Sequence, residues 1–146
     1  MNEELVLREA EAGSGSYQEM LALRYAELRV PLGLEWVKGE LLRDRKDRHF
    51  GVFRESELLG TAVVCDLGGG TRKLRQIAIT REYQGRGFGR ALMELLESLL
   101  QGEQVQTCEL NARISVAGFY RALDYLEVGE VFEEVGIPHV QMRKAL

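Results

Sequence analysis

Apolar and polar positions follow two different rhythms along this chain, and each change of rhythm marks an element. Leu5 to Glu9 is a short apolar start that reads as a strand, broken by Ala12-Gly13-Ser14-Gly15. Ser16 stands three residues before Glu19, the spacing at which a cap and its N3 side chain satisfy each other's orphan backbone donors. Tyr17, Met20, Leu21, Tyr25 and Leu28 then recur at helical intervals, so 16–29 predicts an amphipathic helix that Pro31 ends. Leu34, Trp36, Val37, Leu41 and Leu42 predict a second, shorter helix within 32–48. From His49 the period shortens. His49–Arg54 and Leu58–Asp66 read as strands flanking the turn Glu55-Ser56-Glu57, and Gly68-Gly69-Gly70 leads into a strand over Lys73–Thr80.

Gly87–Gln101 is the strongest helix in the sequence. Phe88, Ala91, Leu92, Leu95, Leu96, Leu99 and Leu100 fall on one face, with Arg90, Glu94, Glu97, Ser98 and Gln101 on the other. A strand over Val105–Asn111, a short helix over Val116–Leu123, and closing strands Leu126–Val135 and His139–Lys144 around Gly136-Ile137-Pro138 complete the chain. Strands alternating with helices in this way predict an α/β (α+β) sheet domain, and 146 residues suit one domain over 1–146.

Composition narrows the setting. Nineteen Lys and Arg against 23 Asp and Glu give a net charge of −4, the wrong sign for a chain whose main work is gripping nucleic acid or an anionic membrane. No apolar run approaches the ~18 residues of a membrane span, and Met1 to Gly15 holds no signal-peptide core, so a cytoplasmic address is expected. Cys65 and Cys108 each sit in an apolar stretch and are expected to be reduced thiols. Arg43-Asp44-Arg45-Lys46-Asp47-Arg48 reads as a solvated helix end rather than a phosphate site. No Cys/His cluster has metal-ligand spacing and no serine lies in a nucleophile elbow, so no metal is expected.

The chemistry concentrates where a strand ending in Gln76-Ile77-Ala78-Ile79-Thr80 runs through Arg81-Glu82-Tyr83-Gln84-Gly85-Arg86-Gly87-Phe88-Gly89-Arg90 into the best helix. Glycines lack Cβ atoms and let backbone N–H groups approach an anion closely. A helix N-terminus adds unpaired donors and partial positive charge, and Arg86 and Arg90 add formal charge beside them. The segment is therefore suited to a pyrophosphate. It is not a dinucleotide fingerprint, because the sixth position from Gly85 is Arg90, and no Gly-Lys-Ser/Thr follows as a P-loop requires.

What fits is Gln-x-x-Gly-x-Gly at Gln84, Gly87 and Gly89. Here the sequence resembles the GNAT N-acetyltransferase superfamily, whose members seat the coenzyme A pyrophosphate on this turn. A second segment, Leu110-Asn111-Ala112-Arg113 followed by Val116-Ala117-Gly118-Phe119-Tyr120-Arg121-Ala122-Leu123-Asp124-Tyr125, looks like the superfamily's strand-then-helix element. Asp124 and Tyr125 replace the usual Gly-Phe, and Arg113 stands where many relatives carry Asn. Asp tolerates the left-handed conformation of a helix end, so the turn survives the exchange. The tail Gly129-Glu130-Val131-Phe132-Glu133-Glu134-Val135-Gly136-Ile137-Pro138-His139-Val140-Gln141-Met142 resembles the ending of the ElaA-like branch.

The resemblance implies a mixed, mostly antiparallel sheet splayed open between Lys73–Thr80 and Val105–Asn111, with the thioester arm of acetyl-CoA in the splay. It implies backbone hydrogen bonds from Ile77, Ala78 and Ile79 to that arm, and the pyrophosphate on Gln84, Gly85, Arg86, Gly87, Phe88, Gly89 and Arg90. Asn111 and Phe119 are implied cofactor neighbours, and Tyr120 matches the tyrosine that often protonates the departing thiolate. The implied reaction is direct transfer of an acetyl group to a primary amine on a small molecule or a protein, with a homodimer also open. The general base stays open among His139, Glu82, Glu109, Glu133, Glu134 and a water. His49 reads as structural. A domain that binds acetyl-CoA without turnover, as a sensor or structural subunit, is the alternative, separated from an enzyme by thiol release in the presence of amines.

Overall fold

Short turns in left-handed backbone build most of this molecule's sheet. The computed structural model describes residues 4–33 and 43–146, and the helix expected within 32–48 lies largely outside them. The strands are β1 (Leu5–Ala10), β2 (Arg48–Arg54), β3 (Glu57–Gly68), β4 (Thr71–Ile79), β5 (Thr107–Arg113), β6 (Leu126–Glu134) and β7 (Ile137–Ala145). The α-helices lying wholly within the described residues are α1 (Gly15–Arg24), α2 (Phe88–Gly102) and α3 (Ala117–Arg121). The strands form one sheet in the order β1-β2-β3-β4-β5-β7-β6. Every neighbouring pair is antiparallel except β4 and β5. The expected mixed, mostly antiparallel α/β fold is the observed one.

α2 lays Leu92, Met93, Leu96 and Leu100 into a core with Phe50, Val52, Val64, Leu74, Leu110 and Met142. Alternation along β2 sends Phe53 to the other face, where it meets Tyr17 and Met20 of α1. Gly51 makes room there: a Cβ on it would stand 2.7 Å from the Met20 methyl.

Several boundaries differ from the sequence reading, each for a local reason. The α1 cap is Ser14, not Ser16, because Gly13 turns at φ 90° and the Ser14 oxygen accepts from the Tyr17 N–H at 3.2 Å. After Arg24 the helix widens to a π turn over Tyr25–Arg29, then tightens to a 3₁₀ turn over Val30–Leu32. Pro31 sits inside that last turn, where a missing N–H does no harm, and Gly33 at φ 68° ends it. Val105 donates back to the Leu100 carbonyl, so β5 starts only at Thr107. The β6–β7 turn is Val135-Gly136, both at positive φ, rather than Gly136-Ile137-Pro138. Pro138 lies within β7, but beyond the last β5 partner, so its absent donor is not missed there. Asp124 takes φ 73°, with the Tyr125 N–H closing onto the Tyr120 carbonyl at 3.0 Å, as a helix end requires.

Candidate active site

Strands β4 and β5 run side by side for three residue pairs only, Thr71–Thr107, Arg72–Cys108 and Lys73–Glu109. β4 then continues to Ile79 and β5 to Arg113 without pairing, so the sheet forks. A bulge at Gln76, held at φ 51°, shifts the β3–β4 register just beyond the fork. The β5-facing edge of Ile77, Ala78 and Ile79 therefore has no strand against it, and unpaired backbone groups on such an edge are available to a ligand.

The loop after β4 opens a helix with donors of its own. Gly87 caps α2 at φ 88°, and no side chain caps the helix. The first hydrogen bond into the helix is from Ala91 N–H to the Gly87 carbonyl at 3.1 Å, so earlier first-turn donors have no helical acceptor. Gly85 takes φ 73°, and a Cβ at either Gly85 or Gly87 would stand in open space. These two glycines are needed for backbone conformation. Gly89 has a different reason: a Cβ there would lie 3.3 Å from Phe119 Cζ and 3.7 Å from Ile79 Cγ1. It lets the start of α2 pack against β4 and α3, and so brings the two sequence motifs together at the mouth of the fork.

The charged residues of the loop are less concentrated than the sequence implied. The Arg86 guanidinium lies over the Tyr83 and Phe88 rings, 5.4 and 5.8 Å from their centroids, and donates to the Glu82 carbonyl at 3.4 Å. Arg90 is drawn along α2 to Glu94 at 2.7 Å, an i,i+4 pair on the exposed face. Through its amide nitrogen, Gln84 donates to the Ile79 carbonyl at 2.9 Å and to Glu27 at 3.1 Å. Its amide nitrogen shapes the loop.

Tyr120 is buried on α3 among Phe119, Tyr125 and the main core, and burial pushes its phenol up to about 12. It therefore holds its proton throughout the physiological range. Phe119 stays partly exposed and stands edge-on to Tyr120, ring centroids 5.0 Å apart. Burial likewise raises the Cys65 and Cys108 thiols to about 11, and both are free.

The candidates for a base separate into three situations. Glu82 and Glu133 are exposed. Glu109 is buried and accepts from Gln141 at 2.8 Å and Arg143 at 3.0 Å. His139 is buried, its Nδ1 donating to the Ile137 carbonyl at 2.7 Å, with Nε2 3.4 Å from Glu134. Glu134 also accepts from Asn111 at 3.3 Å. Asn111 thus joins β5 to the end of β6 beside the fork. His49 contacts the Asp44 carbonyl at 2.7 Å within a buried polar cluster, the structural place expected for it. The sequence reading did not single out Glu27, whose partner Gln84 is 57 positions away in the chain.

A mixed sheet forked between two parallel strands, with a glycine turn opening a helix at the fork, defines the acyl-CoA N-acyltransferase type of fold. Residues 32–146 match the acetyltransferase (GNAT) domain family, and the chain belongs to that family. It is similar to YyaT of Bacillus subtilis, 32% identical over 99 residues, covering 68% of this chain and 66% of that protein. The chain thus spans just under two thirds of that relative's length. Among solved structures, Escherichia coli ElaA superposes with a TM-score of 0.80 at 21% identity, covering 97% of this chain and 99% of ElaA. An acetyltransferase of the family from Elizabethkingia anophelis, crystallised with acetyl-CoA bound, has a TM-score of 0.75 at 14% identity, covering 99% and 100% of the two chains. Among the described residues no helix is long and apolar enough to cross a membrane.

Proposed function

We propose that this chain, acting as one domain over 1–146, transfers the acetyl group of acetyl-CoA directly to a primary amine. The observation that carries the reading is the fork: β4 loses its β5 partner after Lys73, and the loop that follows its free edge opens a helix with no side-chain cap. Acetyl-CoA supplies the acyl group as an activated thioester. The backbone of Ile77, Ala78 and Ile79 holds the pantetheine arm along the free edge. The turn over Gln84–Arg90 receives the pyrophosphate with N–H groups, the helix dipole and the Arg86 charge. Phe119 walls the mouth, and Asn111 lines the β5 side. As the C–N bond forms and the C–S bond breaks, Tyr120, protonated in its apolar setting, gives its proton to the departing sulfur. The proton shed by the nitrogen passes to water or to one of the candidate bases. Holding amine and thioester together makes attack effectively unimolecular, so no covalent enzyme intermediate is needed.

The acceptor is an amine on a small molecule or on a protein. Titration calorimetry with acetyl-CoA, followed by a panel of amines read by free thiol, tests the reading. Saturable binding with amine-dependent thiol release is the expected result. Binding with no thiol release from any amine class would favour a sensor, and absence of binding would remove the fork as a coenzyme A site.

A further inference from the structure

Glu27 lies on the π turn that follows α1, remote in sequence from the glycine loop, yet its carboxylate meets that loop. The π turn is closed by the Val30 N–H on the Tyr25 carbonyl. Such a turn adds a residue to the helical path and takes side chains off the stripe that α1 would otherwise continue. Arg29 goes into the interior, and Glu27 is left with a side chain only 12% exposed, against the segment between β4 and α2.

There the Gln84 amide nitrogen donates to two acceptors, the Ile79 carbonyl at 2.9 Å and Glu27 Oε1 at 3.1 Å. An amide NH₂ has two hydrogens, so its donor capacity is fully used by the end of β4 and by Glu27. Arg81, in the same segment, places its Nε 3.9 Å from the same carboxylate oxygen. A carboxylate beside a turn that receives an anion is electrostatically unfavourable by itself, because like charges near the site weaken binding. Its hydrogen bond to Gln84 supplies the compensating benefit, and Arg81 offsets part of its charge.

We propose that Glu27 is a positioning residue for the coenzyme A turn: it holds Gln84 so that Gly85–Arg90 stands preformed for the pyrophosphate. The proposal rests on the acetyl-CoA reading and adds to it a residue from the opposite end of the chain. It predicts that the hydrogen bond matters and the charge does not.

The test compares Glu27→Ala, Glu27→Gln and wild type for binding of coenzyme A and of pantetheine, which lacks the pyrophosphate. Glu27→Ala should weaken coenzyme A about three- to tenfold, as expected for one lost hydrogen bond, and leave pantetheine within twofold. Glu27→Gln keeps an acceptor for Gln84 and drops the charge, so it should bind coenzyme A as tightly as wild type or more tightly. A double variant with Gln84→Ala should bind no worse than Gln84→Ala alone, and Glu27→Gln carries the test where Glu27→Ala folds poorly. Unchanged coenzyme A affinity in Glu27→Ala, equal weakening of pantetheine, or failure of Glu27→Gln to restore binding would each overturn the positioning role. Wild type without affinity for coenzyme A would instead overturn the acetyl-transfer reading beneath it.

Discussion

Tyr120 combines a buried ring with a hydroxyl that the proposed chemistry needs. Tyr120→Phe keeps the edge-on contacts to Phe119 and Tyr125, at 5.0 and 5.9 Å between centroids, so folding and acetyl-CoA binding should hold. Turnover should fall by about 10²-fold, the lower part of the range for general acids, because a thiolate leaves readily with partial protonation. Since burial raises this phenol to about 12, no descending limb below about pH 11 should belong to it in the wild-type rate profile. A kcat within twofold of wild type at unchanged Kd would remove Tyr120 as the acid. Gly87 poses a different question, since a Cβ there meets nothing and only its φ of 88° forbids one. Gly87→Val should therefore cost about 1–3 kcal/mol in backbone strain and lose coenzyme A binding, through the turn's shape rather than through a clash. Chemical denaturation alongside calorimetry checks both halves, and normal binding by Gly87→Val would show that the left-handed conformation is dispensable.

At the scale of elements, the sequence was most readable where a period ran long. α2 shows this: its apolar face is legible over four turns, and its start follows from Gly87. The fork was expected only through the resemblance, because nothing in the residues of β4 or β5 says that pairing stops after Lys73 and Glu109. The bulge had no sequence signal either, since Gln76 adopts φ 51° without being a glycine. The π turn escaped for a similar reason. Tyr25 and Leu28 fit an ordinary helix, and nothing in their spacing marks the extra residue. Val135 is the same kind of exception, a β-branched residue at φ 47° in a two-residue turn that favours Asn-Gly. Val135→Asn should relieve about 1 kcal/mol of left-handed strain and raise Tm by about 3 °C. Its side chain is 53% exposed, so little packing is lost. An unchanged or lower Tm would mean that Val135 makes contacts worth as much as its strain.

Across the whole molecule, α1 and the segment before β2 are joined by a buried polar cluster that lies away from the fork. Asp44 is fully buried and receives Arg24 Nη1 at 2.8 Å and the Tyr17 hydroxyl at 2.7 Å. Tyr17 also stands edge-on to His49, ring centroids 4.8 Å apart. Burial alone would raise the Asp44 carboxyl, but the hydrogen bonds from Arg24 and Tyr17, with the Arg24 and His49 charges, hold it below the usual carboxylate range. A carboxyl depressed by folding adds stability that is present above its unfolded value near 3.8 and is lost as pH falls through the folded value. Tyr17 has the opposite dependence. Burial first, then the bond to Asp44, raises its phenol to about 12, so its contribution is complete below pH 10 and disappears as pH rises through 12. One bond is therefore exposed to loss at both ends of the pH scale. Tyr17→Phe keeps the ring against His49 and removes only the hydroxyl, so it should be less stable than wild type at pH 7 by about 1.5–3 kcal/mol, the range for a hydrogen bond to a charged group. The gap should narrow between pH 10 and 12, because the unfolded wild-type chain ionises this phenol there while the folded protein must keep it protonated. Asp44→Ala should be far worse at pH 7, by about 3–5 kcal/mol, because it takes the carboxylate from a buried guanidinium. Its deficit should shrink below about pH 4, where the unfolded wild-type chain takes up a proton on Asp44 that the folded protein does not. Urea midpoints at pH 3, 7 and 11 for the three proteins measure all of this, and a pH-independent gap for Tyr17→Phe would mean that its hydroxyl contributes through packing rather than through its bond to Asp44.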